Sequence, residues 1–347
     1  MAIIAPDIGI DLGTSNTLLH VRRRGIVINE PTILVVDTKG KHTVKAIGDD
    51  AQVMLGRTIG EITAVRPLTD GMIRDFEMAE YLLHFFIKKA IGVSRLVKPR
   101  AIVTIPSRMS PIERRAVRQA ALYAGVRKNG LNLVEKPFAA ALGCGLPVFD
   151  PVGSMVVDIG GGTTEAAVIS LGGIVVSRSV RIGGEKMDEA VAGYIKRDFN
   201  MLIGDRTAEE VKMDLGAALP LKEERKAFIR GRDLITNLPQ TAEISSSKVY
   251  EALKPTCEAI LSAIQFVLER TPPELCSDIM RSGIHLTGGG ALLFGLDQYI
   301  ASELGIKVYL AKDPLSCSAV GVGQMTENFE MLHRIVRSSF LHEDNED

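Results

Sequence analysis

The chain has 347 residues, enough for two domains that each bury a core of their own. Its 41 Lys and Arg against 42 Asp and Glu leave a net charge of −1, which argues against a protein that holds nucleic acid by neutralising phosphates across a broad basic face. No apolar run reaches the ~18 residues of a membrane-spanning helix.

The opening "MAIIAPDIGIDLG" has neither the charged start nor the long apolar stretch of a secretory signal, so a cytoplasmic protein is expected. Apolar β-branched segments then alternate with helical patterns, the mark of α/β architecture. Strands are expected at 8–11, 17–21, 26–28 and 32–36, a helix at 76–91, a strand at 101–105 and a helix at 110–124. The last of these is well signalled: Ser110 caps, Pro111 suits the first helical position, Glu113 completes a capping box, and Gly125 stops it. A strand at 132–135, a helix at 137–143 and strands at 154–158, 165–169 and 174–180 follow. Helices at 185–199, 207–215, 248–269 and 272–281, a strand at 284–287, a helix at 291–302, a strand at 306–310 and a helix at 324–340 complete the reading. The tail "HEDNED" is polar enough to be disordered.

Several features have bland explanations. Arg22-Arg23-Arg24 and Arg114, Arg115 and Arg118 read as a solvated loop and a solvated helix face. Cys144, Cys257, Cys276 and Cys317 form no CxxC pair, so they read as reduced thiols and not as a zinc site or disulfide frame. His285 reads as a satisfied structural residue.

The most informative feature is an internal echo. "IGIDLGTSNTLLHV" (8–21) and "MVVDIGGGTTEAAVI" (155–169) share one plan of apolar strand, Asp, apolar residue, Gly, small polar turn and second strand. Half a chain apart, they imply two related subdomains that face each other. Turns of this composition aim backbone N–H groups into a concavity, and such nests hold phosphate. Thr14, Ser15 and Asn16 form one candidate clamp; Gly160, Gly161, Gly162 and Thr163 form the other. Asp11 and Asp158 end their strands beside these turns, and two carboxylates beside phosphates suit Mg²⁺. A third cluster, Gly288-Gly289-Gly290, allows close approach to a flat ligand face. Neither GxGxxG nor GxxxxGK[ST] occurs, which disfavours Rossmann and P-loop readings.

The ordered set "DLGTSNT", "EKPFAAALG", "DIGGGTTE", "IRGRD" and "LTGGGALL" resembles the actin-like ATPase superfamily, most closely the bacterial actin MreB/Mbl family, from Asp7 to about Gly323. The resemblance implies an α/β actin-like ATPase fold of two domains, each with a larger RNase-H-like subdomain and a smaller one. The expected divisions are 1–30, 73–144 and 321–347 for subdomain IA, 31–72 for IB, 145–183 and 250–320 for IIA, and 184–249 for IIB. It implies ATP/ADP with Mg²⁺ in the cleft, Glu209 and Lys212 on the adenosine, and Gly288, Gly289 and Gly290 as the adenine-side wall. Apart from the resemblance, Glu209 and Lys212 read as a surface ion pair. The implied partners are further copies of the chain in a filament, single or in paired protofilaments, along the inner membrane face. Paralogous actin-like chains are a further expected partner, and nucleic acid is not.

One position departs from the family pattern. Family members read "EEP", with the glutamate before the proline activating water alongside the first Thr of "GGGTT"; here that threonine is Thr163, but the glutamate position is Lys136. A protonated lysine accepts no proton, and general-base assistance is typically worth ~10²–10⁴ in rate. ATP binding with slow hydrolysis is therefore expected, with Lys136 pairing with the γ-phosphate. Glu135 cannot substitute, because a one-residue shift turns its side chain away.

In "SRLVKPR", Leu96 and Val97 lie between basic residues, and the resemblance makes this a membrane-dipping loop; core packing is the equal alternative. Helix 324–340, with Phe329, Leu332, Val336 and Phe340 at helical spacing, is expected to pack on the first domain. A kinase of the same superfamily is the rival function, but it requires an Asp base in a polar substrate pocket, and the sequence offers no candidate. A chaperone of the superfamily would carry a substrate-binding domain as well.

Overall fold

The computed structural model describes residues 5–39, 43–56, 62–92 and 97–328. The echo in the sequence is an echo in topology. In the first half, Ile8–Leu12 pairs antiparallel with Asn16–Val21, which pairs antiparallel with Gly25–Pro31. On its other side Ile8–Leu12 runs parallel to Ala101–Ile105, and that strand runs parallel to Leu131–Glu135. In the second half, Ser154–Ile159, Thr164–Ser170 and Gly173–Val180 make the same antiparallel meander, and Ile284–Thr287 and Val308–Leu310 add the same two parallel strands. Both sheets thus have five strands in one order. The central strands are buried along their length, which is why they read as unbroken apolar runs around one aspartate.

Each half also carries a small three-stranded sheet: Leu34–Asp37 between Thr43–Ile47 and Ile62–Val65 in the first, and Met201–Leu202, Lys226–Asp233 and Pro239–Ser245 in the second. The sequence reading caught only the first of these six strands, at 32–36. The others are short or alternate polar and apolar residues on half-exposed surfaces, so no buried run marks them.

Helix Pro111–Tyr123 carries the expected capping box, with the Ser110 N–H donating to Glu113 Oε2 at 2.9 Å. Helix Phe76–Ile91 buries Leu82, Leu83, Phe86 and Ile87, as its wide apolar face requires. The helix expected at 291–302 instead starts at Leu296, because Gly295 adopts φ +74° and separates it from the short 3₁₀ turn Gly289–Leu292.

A larger correction concerns the end of the chain. The last described helix, Cys317–Glu327, starts seven residues before the expected 324, and the remainder of the expected helix 324–340, with Phe329, Leu332, Val336 and Phe340, and the polar tail lie outside the described residues. Gly321 and Gly323 disguised this helix, since glycine is a poor helix former. They are there for packing. A Cβ at Gly321 would overlap the Ala139 carbonyl oxygen, and one at Gly143 would overlap the Cys317 carbonyl oxygen.

Helices Lys136–Gly143 and Cys317–Glu327, which follow the last strand of each five-stranded sheet, therefore cross with their backbones nearly touching. Around the crossing, Ile102, Val134, Phe138 and Val322 share one apolar cluster with Val156, Ala167 and Ile169, joining the two halves. Two of the four cysteines meet here, with Cys144 Sγ 3.4 Å from Cys317 Sγ. Val97 is half-buried, and Leu96 lies outside the described residues.

The Gly321→Ala change should cost about 1–3 kcal/mol in urea unfolding, the usual penalty of overpacking a tight contact. Gly193→Ala makes the contrast: Gly193 sits in helix Gly184–Phe199 with open space where its Cβ would go, so the change should stabilise by about 0.5–1 kcal/mol.

Candidate functional site

The two polar turns close in the same way. The Gly13 N–H donates to the Asn16 carbonyl at 3.1 Å, and the Gly160 N–H donates to the Thr163 carbonyl at 2.8 Å. Each turn starts two residues after an aspartate that is the last polar group of its central strand. The turns also touch across the cleft between the halves. Ser15 Oγ fills the space a Cβ at Gly161 would need, and Thr14 Oγ1 lies 2.6 Å from where a Cβ at Gly162 would stand. Thr14 Oγ1 also accepts from the Gly71 N–H at 3.0 Å. The glycines of the second turn are thus needed for its fit against the first.

The second turn is further anchored to helix Gly184–Phe199, whose Gly184 and Glu185 N–H groups donate to the Gly160 and Gly161 carbonyls at 2.9 Å each. Glu185 reaches back to the first half, accepting from Ser15 Oγ at 3.4 Å and facing Arg66 at 4.0 Å.

Beneath the turns lies a symmetric acid pair. Thr104 Oγ1 donates to Asp11 Oδ1 at 2.7 Å, and Thr287 Oγ1 donates to Asp158 Oδ1 at 2.9 Å. Both threonines sit on the parallel strand next to the central one, at equivalent places. Sequence reading missed them, although "AIVTIP" and "IHLTGG" each put a threonine at the end of an apolar strand; a polar residue in such a run is buried and must find a partner.

Lys136 fills the space between the aspartates. Its Nζ is 3.7 Å from Asp11 Oδ1 and 3.4 Å from Asp158 Oδ2, and only 16% of its side chain is exposed. Burial draws the lysine pKa down, but Asp11, Asp158 and Glu165 together outweigh it and hold the ammonium above the ordinary lysine range. Burial likewise raises the Asp11 carboxyl, with Lys136 and Thr104 pulling it back. The expected Mg²⁺ pair is thus brought together, but as found the donor set does not fit a resident divalent cation. It already holds a positive charge within ion-pair range of both carboxylates. Lys136 rests on carboxylates of the protein, not at a solvent-facing position, and Glu135 points elsewhere, towards Arg114 at 3.4 Å.

Glu165 completes the buried set. It pairs with Asp158 across the antiparallel strands and accepts from the Ser107 N–H of the first half at 2.8 Å. Burial raises its pKa to about 8 despite that hydrogen bond.

The remaining sequence candidates line the second half. Lys212 does not pair with Glu209; its Nζ lies 2.8 Å from Asp188 Oδ1 and 3.4 Å from the Gly184 carbonyl, beside the second turn. Burial pushes Asp188 up to about 6 against the pull of Lys212. Glu209 is exposed on the same helix, Asp205–Leu215. Gly288 (φ +81°) and Gly290 pack their backbones on Ile159, so only Gly289 of the three faces outward.

Residues 5–334 match the family model described as MreB/Mbl protein. The chain belongs to the MreB/Mbl family. It is 46% identical over 330 residues to the cell shape-determining protein Mbl of Bacillus subtilis (strain 168), covering 95% of this chain and 98% of that protein. It is 48% identical over 329 residues to the cell shape-determining protein MreB of Escherichia coli (strain K12), covering 94% of each. Among solved structures, MreB5 of Spiroplasma citri bound to AMPPNP superposes with a TM-score of 0.88 at 36% identity, over 96% of this chain and 98% of that one. The MamK double helical filament shares the fold at 24% identity and a TM-score of 0.76, over 92% and 98% of the two chains. The fold of this MreB/Mbl member is therefore actin-like, as the resemblance implied.

Glu165 gives this MreB/Mbl chain a testable acid–base signature. Folding favours the protonated carboxyl, so between the ordinary 4.5 and about 8 the folded chain keeps a proton that the unfolded chain has lost. Stability should fall with rising pH through that window and level off above it. Melting temperatures of the nucleotide-free protein between about pH 5 and 9 should show this component in the parent and lack it in Glu165→Gln.

Proposed function

We propose that this chain is an adenine-nucleotide-binding bacterial actin that assembles into filaments serving cell shape or an internal cytoskeleton, and that it hydrolyses ATP slowly. The observation that carries the reading is the matched pair of turns, one from each half, interlocked above two buried aspartates at the mouth of the cleft. Backbone nests of this kind hold polyphosphates. The names of the Bacillus and Escherichia relatives and the AMPPNP- and ADP-bound forms of the Spiroplasma protein support the same reading. They favour it over a small-molecule kinase.

In this reading Thr14, Ser15 and Asn16 cradle one side of the phosphates, and Gly160, Gly161, Gly162 and Thr163 the other. Glu209 and Lys212 meet the adenosine, with Gly289 on the adenine side. A nucleotide bridging both turns favours the closed arrangement of the halves by its differential contacts, and that arrangement is the one that polymerises. Thr163 orients the attacking water. Lys136 supplies no base, because an ammonium held between two carboxylates has no free lone pair.

Sedimentation of the pure protein should show polymer with ATP and little without nucleotide; polymer that ignores nucleotide would refute the coupling. Phosphate release should be slow and should rise ~10²-fold in Lys136→Glu, the low end of general-base assistance. Equal rates for the two proteins would remove the slow step from the proposal. The reading extends to peripheral contact with an anionic membrane through Leu96 and Val97. Liposome co-sedimentation of the filament should drop on Leu96→Ser with Val97→Ser, and an unchanged pellet would retire that contact.

A further inference from the structure

Asp11 and Asp158 are 5% and 2% exposed at their side chains, come from opposite halves, and each spends one oxygen on a threonine hydroxyl. Two carboxylates gathered in so buried a place call for a cation between them. In most phosphate-binding clefts with two carboxylates that cation is a divalent metal with its waters. Here a side chain already stands there. Lys136 is the first residue of the helix that crosses to the other half, and Pro137 and the buried Phe138 fix its backbone. Its Nζ lies within 4 Å of both carboxylates, and close to the second turn, 3.9 Å from where a Cβ at Gly160 would stand.

We infer that the Lys136 ammonium is the resident cation of this cleft, taking the place of a divalent metal between Asp11 and Asp158, so that nucleotide binding here does not require Mg²⁺. First, a metal entering at its own bonding distance of about 2.1 Å from the same oxygens would sit in direct repulsion with the ammonium, and the lysine is rooted on a packed helix. Second, the tally of charge is already close to balanced. Two aspartate carboxylates face one ammonium there, so one unit of their negative charge remains uncompensated instead of two. The pull on a doubly charged ion is correspondingly weak. Exchanging lysine for a neutral residue reopens both carboxylates to a metal.

The inference on metal exclusion stands on the protein alone; its extension to nucleotide rests on the function proposed above, and the two are tested separately. In the first arm, Mn²⁺ is titrated into the nucleotide-free full-length protein and followed by electron paramagnetic resonance. The parent should bind no Mn²⁺ that is lost in Asp158→Asn. Lys136→Gln should gain one site, and Lys136→Gln with Asp158→Asn should lose it again. A parent site abolished by Asp158→Asn overturns the inference, as does a folded Lys136→Gln that gains nothing.

In the second arm, ATP affinity is measured with Mg²⁺ and with EDTA. The parent should differ by less than about threefold, whereas Lys136→Gln should bind at least about tenfold tighter with Mg²⁺. A parent that needs Mg²⁺ by tenfold or more refutes the extension. Absence of ATP binding in every condition sinks the nucleotide reading and leaves the first arm to judge the metal. Circular dichroism reports whether Lys136→Gln folds, and the parent measurements in both arms can overturn the inference without it.

Discussion

Two helix backbones in near contact hold this molecule's cleft in shape. Helices Lys136–Gly143 and Cys317–Glu327 each lend a glycine to the other's carbonyl, and no side chain fits between them. A crossing this close places the last strand of each sheet, and so the aspartate-bearing centre of each sheet, at a fixed separation. The acid pair, its threonines and the bridging lysine all depend on that spacing. Because Lys136 opens one of the two helices, the electrostatics of the cleft and the packing of the junction share one element.

That arrangement explains why a lysine can occupy so dry a position. Alone, a buried ammonium would lose its proton; between two carboxylates it keeps it. The three groups are mutually dependent, each making the burial of the others tolerable. Glu165, which accepts from the Ser107 N–H, resolves the same problem by staying protonated over much of the neutral range.

Much of this was legible in the sequence, for identifiable reasons. The strands that bear Asp11 and Asp158 are buried on both faces, so they appear as apolar runs, and their repeated plan announced the duplicated topology. The turns were legible because glycine and small hydroxyl residues are demanded by backbone geometry. What escaped is equally instructive. Helix Cys317–Glu327 was hidden by the glycines that let it pack, and the small sheets were hidden by their solvent-exposed alternation. Thr104 and Thr287 looked like ordinary strand residues, since only the pairing of strands shows what their hydroxyls face. Lys136 was noticed as an exchange of residue type, but its partners are 125 and 22 positions away and no local pattern could name them.

The two polar turns meet as a hydroxyl against bare backbone, Ser15 on Gly161 and Thr14 on Gly162. Apart from Glu185, which reaches Ser15 and faces Arg66 from the second half, this seam freezes no long side chain when the halves approach. Parting the turns there therefore gains or loses little side-chain entropy in the seam itself. Whatever free energy sets the cleft open or shut must then come from what is held between the turns and from the charges beneath them, and not from the seam.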